Sequence, residues 1–340
     1  MDPMNENSHK VHTFKCPSSQ SSERLEHRVR TLVVFLFSND TLTAVIHSEG
    51  SAVLSTVLKD GSFTPRAVSH SLDSDSSKAL IAQGVEVVKA NLFDKESVKE
   101  AMKGSDAVFG VTNFWDPEVF PADHKGKGEI EQGKNLVDAA KEVGVKFFIW
   151  SSLPNATKES NGKYSVAYHV DNKAIIEDYL HTSGVPFAVL LTGWFAEDLW
   201  KIGALHKTPT GYTLPVPKYS VEDSQAITWV AHDLGRATIA LLNNYDNPAK
   251  GVLGKSYPVI TSRITYPAFA QLLAKALGTE VTFTPLETSG MEELDEMYGY
   301  QAKVGMYTTT PVPNPDLVAL GIEFGTLEEF IQTEAVPRFT

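Results

Sequence analysis

The chain has 340 residues, of which 42% are hydrophobic, and its 30 basic and 42 acidic side chains give a formal net charge of −12. This length exceeds the usual size of one domain, so the sequence predicts one large domain with a subdomain, or two domains. The acidic balance, without any run of five basic residues, excludes a phosphate-neutralising surface for nucleic acid. We therefore expect no direct nucleic-acid partner.

The single cysteine, Cys16, excludes an internal disulfide and any metal site built from several cysteines. The longest apolar run near the N-terminus, residues 31–37, is seven residues long and too short to span a bilayer. The sequence thus predicts a soluble, cytoplasmic protein with no membrane partner. Residues 1–29 are polar and lack apolar periodicity, so we expect a poorly ordered tail there.

From residue 41 onward, short β-branched runs alternate with stretches of helical period, a pattern typical of βαβ units in a parallel sheet. The six candidate strands are residues 42–47, 64–70, 85–92, 106–114, 145–153 and 186–192. The helical stretches between them end near glycines, which suit left-handed C-caps. The sequence therefore predicts an α/β fold with a doubly wound parallel sheet over residues 30–192.

After Thr192 the alternation weakens into a proline-rich stretch, a strand near residues 256–261 and several helices. We predict a smaller, mixed C-terminal lobe over residues 193–340. Ligands of open α/β sheets bind at the carboxyl ends of the strands. The lobe is therefore expected to form the second wall of a site at that edge.

The connection between the first predicted strand and the first predicted helix has the sequence "SEGS". A dinucleotide pyrophosphate would meet the helix here, because free N–H groups and the helix dipole attract anions. Only Gly50 permits close backbone approach, and Glu49 adds negative charge beside a phosphate. Gly50 and Ser51 are candidate phosphate contacts, and a plain strand-to-helix connection is the alternative.

Downstream of this turn the chain resembles the NmrA-like family of atypical short-chain dehydrogenases in "VLKDGSFTPRAV", "AVFGVTNFWDP", "EQGKNLVDAAKEVGVKFFIWSSL" and "AYHVDNKAIIEDYL". The resemblance extends from about Gly50 to the C-terminus and implies a Rossmann-type fold that binds NADP(H). Some members are reductases, and others are redox-sensing regulators. Of the family's glycine-rich turn, of the type GATGNQGG, only Gly50 is retained. Either this chain has lost its phosphate loop, or the residues before Gly50 derive from a mispredicted exon boundary.

The resemblance also assigns residues to the adenosine end of the cofactor. His70 stands where relatives have an arginine for the 2′-phosphate of NADP. Histidine is a weaker and pH-dependent anion partner, so the choice between NADP and NAD stays open, as does a plain surface role. Asn91 occupies a position where related folds place an aspartate against the adenine amino group. Gln132, on the helix "EIEQGKNL", is a further candidate cofactor contact.

Two predicted strands turn polar at their carboxyl ends, where a parallel sheet presents ligand contacts. Thr112, Asn113 and Phe114 end one of them, and Ser151 ends the next. Hydroxyl and amide groups there can bind a ribose or a carbonyl, and an aromatic ring can cover a nicotinamide or a substrate. The alternative is that the polar pair only caps a turn. After the sixth strand, the family resemblance implies nicotinamide contacts from Thr192, Gly193, Trp194 and Phe195.

The YxxxK pair of ordinary short-chain dehydrogenases does not occur at the expected position. Instead, "AYHVDNK" places His169 and Lys173 four residues apart, on one helix face. The family pattern here is HxxxK, which implies that Lys173 contacts the nicotinamide ribose or occupies the catalytic position. Lys173 could donate a proton or act as a fixed cation, and His169 could relay a proton. A solvated lysine, a packing histidine, and catalysis by Tyr164 or Tyr168 are the alternatives.

We therefore predict an NADP(H)-dependent oxidoreductase that reduces a small organic substrate, aromatic or conjugated, with Lys173 and His169 as catalytic residues. No HExxH, CxxC, GxSxG or P-loop motif occurs, so no metal is expected. The alternative is a non-catalytic NAD(P)-sensing regulator that binds a protein partner. A third hypothesis, that the chain binds no dinucleotide, depends on the altered turn at Gly50.

Overall fold

The computed structural model describes residues 30–36 and 47–340. Its centre is a seven-stranded sheet in which all neighbouring strands are parallel, in the order β11-β6-β5-β4-β1-β2-β3. The strands of this sheet are β1 (Thr31–Phe35), β2 (Thr64–Ser69), β3 (Glu86–Lys89), β4 (Ala107–Gly110), β5 (Phe147–Ser152), β6 (Phe187–Thr192) and β11 (Ser256–Val259). Strands β4 and β5 are buried along their whole length, which explains their continuous apolar sequence.

Helices cover both faces of the sheet. Helix α4 packs between α3 and α6, and α1 packs against α8 on the opposite face. The α-helices that precede β11 in the chain are α1 (His47–Asp60), α2 (Asp75–Ala82), α3 (Lys95–Met102), α4 (Lys127–Val143), α5 (Ala156–Glu159), α6 (Tyr168–Ser183), α7 (Asp198–Lys201) and α8 (Gly235–Asn244). The predicted doubly wound parallel sheet is confirmed, and one large apolar core runs through it.

The prediction of the first strand was wrong. The sheet begins with β1, Thr31–Phe35, which lies between β2 and β4, whereas His47 is already the first residue of α1. The rest of the predicted strand, residues 42–46, and the predicted tail, residues 1–29, lie outside the described residues. Within the apolar run, Thr31–Phe35 fills a central strand position, and its apolar sequence suits that position because both faces of the strand are buried.

The part after β6 contains two small sheets, in the orders β12-β10-β7 and β13-β9-β8. Their strands are β7 (Trp194–Phe195), β8 (His206–Thr208), β9 (Gly211–Pro217), β10 (Ser224–Thr228), β12 (Ser262–Thr265) and β13 (Glu280–Leu286). The remaining helices are α9 (Tyr266–Leu277), α10 (Glu292–Lys303), α11 (Pro315–Ala319), α12 (Leu327–Phe330) and α13 (Val336–Phe339). A π-helical turn at Val230–Leu234 leads into α8, a second at Ile331–Ala335 joins α12 to α13, and a 3₁₀ turn lies at Pro248–Lys250.

The C-terminal part is not fully separate from the central sheet. Strand β11 pairs with β6 at the sheet edge, so a segment beyond Thr192 completes the sheet. A second aromatic-rich core lies around Trp194, Tyr266 and Phe269. None of the helices in the described ranges is both long and apolar enough to cross a bilayer.

Candidate active site at the carboxyl edge of the sheet

The first turn of α1 lies directly on the end of β1. A Cβ atom built on Gly50 would lie 2.5 Å from the carbonyl oxygen of Phe35, closer than any side chain tolerates. Glycine at this place lets the helix pack tightly on the strand, the role of the last glycine in a dinucleotide-binding turn. The neighbouring Ser51 is exposed and lines a separate cavity of about 420 Å³ between α1 and α2.

Glu49, in the same turn, reaches across the edge of the sheet. Its Oε1 accepts a hydrogen bond of 2.5 Å from the hydroxyl of Ser151, at the end of β5. The side chain is buried, and this burial raises the pKa of the Glu49 carboxyl, while Lys173 and Ser151 oppose the shift. The carboxylate that the sequence suggested as an obstacle to phosphate is therefore hydrogen-bonded inside the protein.

Lys173, on α6, is buried with an exposed fraction of 8%. Its Nζ donates to the carbonyl oxygen of Thr112 and to Oε1 of Glu129, both at 2.8 Å, and lies 3.2 Å from the Thr112 hydroxyl. The Thr112 hydroxyl in turn donates to the same Glu129 oxygen at 2.9 Å. The Trp150 indole N–H donates to the Lys173 carbonyl, which fixes the helix turn that carries the ammonium group. The solvated-lysine alternative is therefore excluded.

His169 lies one helical turn before Lys173 and faces α10. Its Nδ1 lies 2.5 Å from Oε1 of Glu293, and its backbone N–H donates to the same oxygen. Its Nε2 lies 3.1 Å from the sulfur of Met297. Both ring nitrogens are thus in contact with α10. This arrangement corresponds to the packing histidine, which is the alternative to a catalytic histidine that the sequence leaves open.

A cavity of about 370 Å³ lies between this edge of the sheet and α10. Its lining includes eight of the site residues predicted from the sequence: Phe114, Ser151, His169, Lys173, Thr192, Gly193, Trp194 and Phe195. Trp115 also lines the cavity. Tyr164 and Tyr168 do not line this cavity. The cavity therefore brings together Lys173, three strand-end segments and an aromatic wall, and the tyrosine among its lining residues is Tyr298 of α10.

The strand-end segment Thr192–Phe195 is held by close backbone packing. A Cβ atom on Gly193 would lie 2.3 Å from the carbonyl oxygen of Ala226, so only glycine fits there. Its N–H donates to the Thr228 hydroxyl, and the Thr192 carbonyl accepts from the Tyr307 hydroxyl at 2.8 Å. These contacts fix the segment Thr192–Phe195 as one wall of the cavity.

The other predicted cofactor residues lie away from the cavity. Asn113 accepts from the backbone N–H of Trp115, and Asn91 accepts from that of Phe93, so both amide oxygens cap local turns. Gln132 is buried on α4. His70 follows β2, and burial lowers the pKa of its imidazole, although Asp116 and Glu118 oppose this.

The side chains that the sequence did not identify as site residues come from three places. Glu129 lies at the start of α4, Asp198 begins α7, and Met291, Leu294, Met297, Tyr298 and Gln301 line the cavity from α10 and the residue before it. Within the part of the chain that the structure describes, no cluster of three or more His, Cys, Asp or Glu side chains could hold a metal ion.

Known oxidoreductases are similar to this chain over most of its length. NmrA-like family domain-containing oxidoreductase cpsB of Aspergillus campestris is 28% identical over 262 residues, which is 72% of this chain and 74% of that protein. The corresponding oxidoreductase ptmS of Penicillium ochrochloron is 24% identical over 324 residues, 87% and 93% of the two chains.

Solved structures of low sequence identity share the fold. The negative transcriptional regulator NmrA in complex with NADP superposes with a TM-score of 0.71 at 17% identity, over 91% of this chain and 97% of that one. The NADPH-dependent quinone oxidoreductase QOR2 of Escherichia coli, complexed with NADPH, gives 0.63 at 19% identity, over 88% and 98%. The model of the NmrA-like family matches residues 47–331, most of the chain. The protein is thus a member of the NmrA-like family.

Proposed function

We propose that this protein is an NADP(H)-dependent oxidoreductase that reduces a small organic molecule of aromatic or conjugated character. The observation that carries the proposal is the buried ammonium group of Lys173, fixed at the carboxyl edge of the sheet beside an aromatic-lined cavity. The oxidoreductase names of relatives such as cpsB and ptmS support it.

The residues present fit a dinucleotide at the nicotinamide end. Lys173 and Ser151 offer polar contacts at the cavity, and Phe114, Trp194 and Phe195 offer ring surfaces. NADPH, when bound, supplies the hydride. At the pyrophosphate end, Gly50 keeps the first turn of α1 close to the sheet.

The Glu49 carboxylate, in the first turn of α1, is compatible with a pyrophosphate at this place. The raised pKa of Glu49 and its bond to Ser151 reduce the negative charge that a phosphate would meet. For the adenosine end we propose His70 and Asn91, with Ser51, Asn113 and Gln132 as lesser contacts. A largely neutral His70 offers the 2′-phosphate hydrogen bonding without a fixed positive charge.

For Lys173 we propose the role of a fixed cation. An ammonium group has three N–H donors, and Thr112 and Glu129 accept all three. A lysine bonded in this way acts as a fixed positive charge that stabilises negative charge in the cavity, whereas releasing a proton would break its bonds to Glu129 and Thr112. His169, bonded to Glu293, holds α10 against α6 and thereby shapes the cavity.

The test is NADPH consumption with a panel of quinones, enones and aromatic carbonyl compounds. The proposal expects at least one compound to be reduced, and expects Lys173→Met to abolish the reduction while Lys173→Arg retains part of it. Lys134→Met, an exposed position on α4, is the matched control and keeps full turnover. Full turnover by Lys173→Met would contradict the assigned role.

One arrangement favours a second candidate, an NAD(P)-sensing regulator. Neither Tyr164 nor Tyr168 lines the cavity, and the Lys173 donors are all used, so the usual proton donor is not in place. The structurally similar NmrA is a negative transcriptional regulator. Saturable dinucleotide binding without turnover of any panel compound would support this candidate, and turnover would exclude it.

A further inference from the structure

The cavity has a second polar region, formed by α7 and α10. Asp198 and Gln301 both line the cavity and are buried, with exposed fractions of 6% and 7%. Asp198 Oδ1 and Gln301 Oε1 have no hydrogen-bond partner among the residues that the structure describes. Tyr298 lies one helical turn before Gln301 and lines the same wall. We call Asp198 and Gln301 the acceptor pair.

The surroundings of the acceptor pair are apolar. The cavity that the pair faces is also lined by Ile202, Met291, Leu294, Met297 and Met306. A buried polar atom without a partner costs about 1–3 kcal/mol, so such atoms are rare in folded proteins. Two of them in one cavity indicate a partner that arrives with a ligand.

The charge state of this wall selects the kind of ligand. Burial, assisted by Glu197, raises the pKa of Asp198 to about 8, while Lys201 opposes the shift. From the facing helices, burial raises the pKa of Tyr298 to about 12 and that of Tyr266 well above its usual value. Glu197 itself accepts backbone N–H bonds from Val230 and Ala231. The Asp198 carboxyl is therefore largely protonated at neutral pH, and because a protonated carboxyl keeps an acceptor oxygen, this side chain suits an uncharged donor group.

We propose that the acceptor pair binds a neutral O–H or N–H donor on the substrate, so that the enzyme prefers phenolic or amide-bearing conjugated compounds over their methylated counterparts. The two unpaired oxygens accept this donor while the apolar side chains cover the rest of the molecule. This inference rests on the proposed function only in calling the ligand a substrate. The preference for donor-bearing ligands is a property of binding and requires no turnover.

The test measures binding by calorimetry with two matched pairs of ligands. One pair is para-hydroxychalcone and para-methoxychalcone, and the other is a cinnamanilide and its N-methyl derivative. The proposal expects the donor-bearing member of at least one pair to bind about tenfold or more tightly, since one hydrogen bond is worth about 1.4 kcal/mol. Equal affinity within both pairs, or no binding by any of the four compounds, overturns it.

Variants of the acceptor pair show which residues cause the preference for the donor-bearing ligand. Asp198→Leu and Gln301→Leu each reduce it to less than threefold, whereas Asp198→Asn keeps an acceptor oxygen and retains it. Asp246→Asn, at an exposed position, is the control and leaves the preference unchanged. Circular dichroism shows which variants are folded, and Asp198→Asn keeps the test decisive if a leucine variant does not fold. A preference that survives in folded Asp198→Leu and Gln301→Leu overturns the assignment to this pair.

The two proposals fail in different ways. A donor preference without NADPH consumption by any compound would leave the acceptor pair in place and contradict the reductase. NADPH consumption without a donor preference would leave the reductase in place and contradict the acceptor pair.

Discussion

Replacing Lys173 by methionine is expected to lower the free energy of unfolding by about 3–5 kcal/mol, because the change leaves a buried carboxylate without its cation. The ion pair between Lys173 Nζ and Glu129 Oε1 spans 2.8 Å, and the two side chains are 10% and 0% exposed. The gross Coulomb attraction at this separation is about 6 kcal/mol at an effective dielectric constant of about 20. Removal of both charges from water offsets part of that attraction, which gives the smaller net loss.

A double variant that replaces both charged side chains by neutral ones separates the effect on stability from the effect on function. Lys173→Met combined with Glu129→Gln removes both charges, so the double variant is expected to recover stability to within about 1–2 kcal/mol of the parent. Its turnover and NADPH affinity stay as low as those of Lys173→Met, because the fixed cation is still missing.

The assay is urea unfolding followed by far-ultraviolet circular dichroism, with NADPH titration of each folded variant. A Lys173→Met protein as stable as the parent within about 0.5 kcal/mol would refute the assignment of a buried ion pair, because surface changes fall in that range. A double variant that regains NADPH affinity would refute the cationic role.

Three further changes test other parts of the site. Gly50→Ala places a methyl group against the Phe35 carbonyl and is expected to destabilise the fold by about 1–3 kcal/mol, whereas Ser51→Ala in thermal unfolding changes little. His70→Arg is expected to raise the affinity for NADPH relative to NADH about tenfold in competition titrations, since a fixed guanidinium replaces a largely neutral imidazole; an unchanged ratio would displace His70 from the 2′-phosphate. Asp198→Asn is expected to raise the melting temperature relative to the parent, by an amount that grows between pH 3.8 and about 8 and stays constant above pH 8. Over that pH range Asp198 keeps its proton in the folded parent but loses it in the unfolded parent, so the parent becomes less stable as the pH rises. A benefit that does not depend on pH would contradict the raised pKa.

Most of the sheet could be predicted from local sequence pattern. Strands β2 to β6 lie within the predicted runs, because buried parallel strands carry continuous apolar sequence that differs from helical periodicity. The first strand could not be assigned in this way. Residues 31–37 and 42–47 are both short apolar runs, and the true β1 lies farther from α1 than the short βα connections that are usual in such folds.

The polar strand ends were predictable, whereas their partners were not. Thr112 and Ser151 follow from the rule that parallel sheets bind ligands at their carboxyl edge. Their partners come from distant parts of the chain: Glu49 is 102 residues from Ser151, and Glu293 is 124 residues from His169. Local periodicity holds no information on such pairings, which arise only when the sheet and α10 pack together.

The acceptor pair illustrates the same limit. Asp198 follows the predicted aromatic segment closely, whereas Gln301 lies far along the chain on α10. Nothing in the spacing of Asp198 and Gln301 brings the two together. Their common place in one cavity follows only from the packed structure.

The central claim is that a dinucleotide binds at the carboxyl edge of the sheet, beside the Lys173 ammonium. Isothermal titration of the full chain with NADPH, NADP⁺, NADH and NAD⁺ tests it most directly. We expect saturable binding of one dinucleotide per chain, weakened at least about tenfold in the stable double variant Lys173→Met, Glu129→Gln. Titrations without binding of any of the four dinucleotides, or equal affinities in parent and double variant, would contradict it.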